Sequence, residues 1–273
     1  MNRSNTGRLG ATLLVACLAI ALSAPGCQAS KQGPALPPAG SMDVDMSAFK
    51  ATGKADAAGN HAHHNNAALR VGLLNTSVLL ALAVPRLVFA AALSQDPTFA
   101  DGRWTWTFDA KYLGKPINAT LTGTFPNQSE TGTKLELEMR VTCKHCKVPT
   151  DDFVWYTGSF EADGSKGHWQ FFNPEIKQDD KTFVKIGYTV TDPTHKTLTF
   201  SNLRTDGHAD AGDVIAYKRA GDLLGVTVHD ASKKLDYAAE VSLATRAGWL
   251  QVPGYNGGAK ACWDEKHHNT DCK

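Results

Sequence analysis

From Asp101 onward, apolar and polar residues alternate with a period of two, and this pattern restricts the chain's architecture more than any other feature. Trp104, Trp106 and Phe108 alternate with Arg103, Thr105 and Thr107. Ile117, Ala119, Leu121, Gly123 and Phe125 alternate with Asn118, Thr120, Thr122 and Thr124, and Leu135, Leu137, Met139 and Val141 alternate with Lys134, Glu136, Glu138 and Arg140. Each run describes a strand with one buried and one wet face. Further runs of strand character cover 153–160, 168–172, 182–191, 197–203, 213–218, 223–229 and 235–244. The connections are short and rich in turn formers, such as Phe125-Pro126-Asn127, Ala162-Asp163-Gly164 and Asp192-Pro193-Thr194. Short connections join antiparallel neighbours, whereas parallel ones need long crossovers. The expected fold is therefore all-β with one N-terminal helix: an antiparallel meander of about ten strands curled into a barrel or half-barrel.

The helix comes from residues 71–93, VGLLNTSVLLALAVPRLVFAAAL. A membrane span wants roughly 20 apolar residues, and an arginine near its middle costs about 2.5–3.5 kcal/mol. Pro85 and Arg86 interrupt this segment, so a helix packed on the sheet and kinked at Pro85 is the expectation. The stretch before it, 27–66, is mostly Ala, Gly, Pro, Ser, Asn and His. Such a segment buries too little to repay its ordering entropy. It reads as a flexible tether with a reach on the order of 35 Å. His61, His63 and His64 at its end read as a solvated polar tract. The expected organisation is a signal peptide over 1–26, the tether over 27–66, the apolar helix within 67–100 and the β domain over 101–273.

The first residues carry an address. Arg3 and Arg8 precede the short uncharged run ATLLVACLAIALSA, and small residues lead to Cys27. This is the layout of a secretory signal. Leu22-Ser23-Ala24-Pro25-Gly26-Cys27 resembles the lipobox of bacterial lipoproteins, which implies a diacylglycerol on the Cys27 thiol and an acylated new amino terminus. Gln28 in the sorting position implies the outer membrane, with a soluble periplasmic or secreted form as the alternative. Asp101-Gly102-Arg103-Trp104-Thr105-Trp106, Asp152-Phe153-Val154-Trp155-Tyr156-Thr157-Gly158 and Gly167-His168-Trp169 resemble blocks in β-rich bacterial lipoproteins of unassigned function, which implies no particular activity.

Cysteine parity agrees with the lipobox. Of six cysteines, Cys17 leaves with the signal, and a lipid on Cys27 leaves Cys143, Cys146, Cys262 and Cys272 as an even set suited to two structural disulfides in an oxidising compartment. Bridges joining the 143/146 pair to the 262/272 pair are the expected connectivity. A zinc site drawn from these four, with His267 or His268 as substitutes, lacks a standard spacing. Cys143-Lys144-His145-Cys146 has the C-x-x-C spacing of a redox motif without its helical context.

Other candidate chemistry gives way to simpler structural readings. Asp206, His208, Asp210 and Asp213 miss the pattern of an EF-hand loop and read as a solvated turn. His168, His195, His208 and His229 have no nucleophile in a recognisable elbow. Trp155, Tyr156, Trp169 and Trp249 could stack on sugars, but aromatics at period two belong to cores. Pro253–Gly258 reads as a flexible loop with one exposed tyrosine. A net charge of +1 with 20% charged residues supplies no field for nucleic acid. No catalytic residue, metal or cofactor is assigned. Two function classes remain: a binding or envelope-structural module, with an apolar or lipid ligand between sheet and helix, and a glycan-active hydrolase or lyase with unassigned carboxylates.

Overall fold

The computed structural model describes residues 33–37, 46–50, 60–112 and 114–272, and for 73–88 and 112 the backbone alone. The expected signal peptide and Cys27 lie outside the described residues.

Helix α1 spans Ala62–Leu93 and continues through Pro85. Its Ala- and Leu-rich composition favours helix, and Pro97, which cannot extend it, follows soon after Ser94 closes the last turn. At 32 residues it is about 48 Å long. Among the described residues, no helix is long and apolar enough to cross a membrane.

Fourteen strands follow in one antiparallel meander whose order is their order in sequence. They are β1 (Thr98–Ala100), β2 (Arg103–Tyr112), β3 (Lys115–Thr124), β4 (Lys134–Cys143), β5 (Thr150–Glu161), β6 (Lys166–Phe172) and β7 (Thr182–Asp192). Then come β8 (His195–Asn202), β9 (Val214–Ala220), β10 (Leu223–Asp230), β11 (Leu235–Ser242), β12 (Gly248–Gln251), β13 (Ala261–Trp263) and β14 (Asn269–Thr270). The ten runs of period two correspond to β2 through β11. The additional strands are β1 and β12–β14. Asp101 and Gly102 turn β1 into β2 with φ of 52° and 73°, the signs a type I′ hairpin turn requires and Asp-Gly supplies.

The sheet is open, since β1 and β14 do not pair with each other. It is also strongly curled. α1 packs against β2 near one edge and against β12, β13 and β14 at the other, while Phe89 in its last turns lies edge-on to Trp169 of β6, 5.0 Å between centroids. In a flat sheet β2 and β13 would lie about 50 Å apart, far beyond the width of one helix. The fold is a half-barrel with α1 along its concave side.

That concave side is the core. One row of paired positions, Trp106, Leu121, Met139, Tyr156 and Phe171, crosses β2 to β6, and all five side chains are buried. Around Trp169 the rings of Tyr156 and Phe160 close at 5.3 and 4.3 Å. The Phe160 and Trp169 rings fold over Gly158, where an added Cβ would collide with both. Burying each such large side chain contributes roughly 1.5–3 kcal/mol.

Part of the expected tether belongs to this core. Met46, Ala48 and Phe49 are buried beside the 3₁₀ turn Ser47–Phe49, and Gly33 lies against Pro97 and Trp106. A few apolar side chains in a polar, small-residue stretch are enough to dock it. The helix also begins earlier than expected, at Ala62, so the histidine tract forms its cap and first turn.

Candidate functional site

The outer face of the half-barrel carries polar side chains in straight rows set by strand register. One row reads Glu136, Ser159, His168, Gly187 and Thr199 across β4 to β8. A second, offset by two residues along each strand, includes Lys166, Thr189 and Thr197. Between them opens a cavity of about 420 Å³, lined by Lys134, Ser159, Phe160, Glu161, Lys166, Gly167, His168, Lys185, Gly187, Tyr188, Thr189, Thr197 and Thr199. Its floor exists because β7 has no side chain at Gly187, where a Cβ would meet nothing within 4 Å. Partial burial, and then the nearby Lys185 ammonium, hold the His168 imidazole below its ordinary pKa. On the β4–β5 wall, Ser159 Oγ donates to Glu136 Oε1 at 3.0 Å, and Lys134 Nζ is 3.0 Å from the same oxygen.

The Gly187 row continues through Thr199, Ala216, Thr227, Ala238 and Gln251. Its far end enters a second cavity of about 460 Å³, lined in part by Thr227, His229, Asp236, Ala238 and Gln251. There His229 Nδ1 lies 2.7 Å from the Asp236 carboxylate. Both members of this pair face solvent.

The four cysteines pair locally, as Cys143–Cys146 and Cys262–Cys272. This corrects the expected cross-connection between the two pairs. Sheet order puts nine strand steps between β4 and β13, whereas each local pair is brought together by its own chain reversal, with Cα atoms 5.6 and 5.3 Å apart. In the chain-entropy picture, such short loops stabilise by about 2 and 3 kcal/mol, against about 4–5 kcal/mol for each long loop. Cys143 is buried at the end of β4 and stands at no helix start, where a redox thiol would have its pKa lowered. Among the described residues no group of three or more His, Cys, Asp or Glu side chains is placed to hold a metal ion.

The remaining candidates separate. Tyr156 and Trp169 are core residues. Trp249 bonds Glu240 through its indole N–H at 3.1 Å and lies beneath Lys260 Nζ, 3.9 Å from the ring centre. Trp155 is half-buried against the core. Within 206–213, Asp206 is held by Arg204 at 2.7 Å, and Asp213 accepts the Ala231 N–H. His195 pairs with Asp192 of its own hairpin at 2.9 Å.

The histidine tract is the clearest departure from expectation. His64 is 1% exposed, its ring stacked on His267 at 3.8 Å and 7° and edge-on to Trp263 at 5.5 Å. His61 lies 4.9 Å from His268, and its Nδ1–H donates to the His267 carbonyl at 3.1 Å. His63 Nδ1 shares a 2.8 Å hydrogen bond with the Tyr255 hydroxyl, so the tyrosine expected to be exposed is half-buried and engaged. The His63 N–H donates to Asn269 Oδ1 at 3.0 Å, and the Asn269 N–H to the Asn60 carbonyl at 2.6 Å. The polar C-terminal tail thus docks by imidazole stacking and backbone bonds, where a covalent tie to β4 was expected.

Comparison with protein-family models, curated proteins and solved structures finds no match to this chain.

Proposed function

We propose that this is an exported bacterial lipoprotein, held to the outer membrane by a lipid on Cys27, whose half-barrel is a non-enzymatic binding module for an acidic oligosaccharide. The observation that carries the ligand reading is the outer-face cavity, where Lys134, Lys166, Lys185 and His168 surround a floor left open by Gly187. With Lys134 paired to Glu136, Lys166 and Lys185 stand against the lining carboxylate of Glu161, a local excess of positive charge that favours an anion and raises both its concentration and its rate of capture. The hydroxyls of Thr189, Thr197 and Thr199 offer donors and acceptors at strand spacing, which suits a polyhydroxylated chain.

Two observations weigh against the other readings. The concave face, where an apolar ligand would lie between sheet and helix, is packed with Trp104, Tyr156, Phe160 and Trp169. A glycosidase places carboxyl groups on both sides of the scissile bond. Glu136 and Glu161 instead share the β4–β5 wall, and Glu136 is engaged by Lys134 and Ser159.

Calorimetry with a uronate hexasaccharide, its neutral counterpart and inorganic phosphate tests the ligand. The acidic sugar is expected to bind and the other two not to, with affinity falling as salt rises. Lys185→Ala should weaken binding about tenfold, the loss of one charge-assisted bond. Gly187→Ile should abolish it at unchanged Tm, because the new side chain enters open space on a strand that favours β-branching. Equal binding by Gly187→Ile would place the ligand elsewhere. For the anchor, a palmitate analogue should label the wild-type membrane fraction and leave Cys27→Ala unlabelled; equal labelling of both would overturn it.

A further inference from the structure

Five of the chain's ten histidines meet at one joint: His61, His63 and His64 at the start of α1, and His267 and His268 in the loop between β13 and β14. We propose that this joint is an acid-opened latch, in which protonating the His64–His267 stack releases the first turn of α1 from the C-terminal hairpin.

Geometry carries the argument. Two coplanar imidazoles at 3.8 Å attract as neutral rings and repel once both are charged. His64 is buried and His267 half-buried. The Asn65 side chain favours a charged His64 ring, but His64 Nε2 is sealed from solvent and without a hydrogen-bond partner, so a proton arriving there finds neither water nor an acceptor. The surrounding charges give little relief. From the hairpin comes the Asp264 carboxylate, which favours a proton on His267 but is already 3.5 Å from His268 Nδ1. The turn before β12 brings Arg246, whose carbonyl accepts the Trp263 indole N–H and whose charge disfavours a proton on His267. The loop after β12 brings Tyr255, bonded to His63, and the next turn of α1 brings Arg70, whose charge reaches Tyr255. Burial first, and His267 next, push the His64 pKa down to about 4, and burial lowers His63 and His267 as well. Neutral imidazoles hold the joint, and a falling pH loads it with like charges.

The latch matters because α1 spans the gap of an open sheet. Its first turn is fixed to the β14 side, while the opposite end packs on β6 through Phe89. Opening the latch would free the tail and the start of α1 while leaving the far anchor and the outer-face cavity in place.

Hydrogen exchange of the full chain, corrected for the intrinsic pH effect, tests this at the amides of His63 and Asn269, which bond across the joint. Their protection is expected to fall at least tenfold between pH 7 and pH 4.5, while β6–β8 stay protected. His267→Phe keeps a stacking ring that cannot titrate and removes the like charge facing His64, and should shift the loss of protection to lower pH. His64→Phe repeats the test from the helix side, should His267→Phe perturb the hairpin. Protection unchanged to pH 4.5, or lost at the same midpoint in wild type and both variants, would overturn the latch.

Discussion

Trp169→Ala is expected to lower the unfolding free energy by about 4 kcal/mol, within the range found when a fully buried Trp is truncated. The indole is 0% exposed and sits where Phe89 of α1 meets Tyr156, Phe160 and Phe171 of the sheet. Its removal leaves a cavity that neighbours cannot close, because the Phe160 ring is already pressed onto Gly158. Tyr156→Phe is the matched control. The Tyr156 hydroxyl is buried without a hydrogen-bond partner, so deleting it removes a desolvation cost and should leave stability equal or higher. Urea titration at constant m reads both changes. A loss under about 1 kcal/mol for Trp169→Ala would show that the helix and sheet do not share this core.

The second large effect is a pH dependence. An unfolded imidazole takes its proton near pH 6.5, and His64 in the folded chain takes it near pH 4. Between these values the unfolded state binds more protons, so stability is full above pH 6.5 and falls as the pH drops toward 4. The whole gap corresponds to a loss on the order of 3 kcal/mol, and His63 and His267, also lowered, add to it in the same direction. Carboxylates act in a different window. Asp192 and Asp230, held down to about 2 by side-chain bonds from Thr194 and Lys233 respectively, contribute stability that disappears only as pH falls below their ordinary 3.8. The gap between urea midpoints at pH 7.5 and 4.5 should therefore narrow in His64→Phe to the part that His63 and His267 contribute, and a wild type equally stable at both would refute the assignment.

Period two made β2 through β11 legible, because ten strands of seven or more residues leave room for alternation. β1 and β12–β14 have two to four residues, too few for any period to register. Parity grouped Cys143, Cys146, Cys262 and Cys272, but pairing depended on hairpin geometry that parity does not contain. The first turn of α1 was hidden for a related reason. HAHHNN is polar, and what buries His64 is a tail equally polar in composition, so neither segment announces the other. The cavity escaped notice because an outward glycine in a strand reads as weakness. Only strand register puts Gly187 beside His168 and Thr199, with Lys166 and Lys185 at the rim.

The place of α1 in the chain also sets an order of assembly. Every strand pairs with its sequence neighbour, so the sheet closes by local contacts that keep loop-closure cost low and favour rapid zipping. The helix combines near and far partners. It meets the turn Ser47–Phe49 and β2 close by in sequence, yet its first turn docks on Tyr255, His267 and Asn269 near the carboxyl end. A chain emerging amino end first therefore carries a helix whose start is undocked until those residues are made. Truncations that remove only the final dozen residues should then yield a zipped sheet with the start of the helix undocked, a state prone to capture by chaperones and to aggregation.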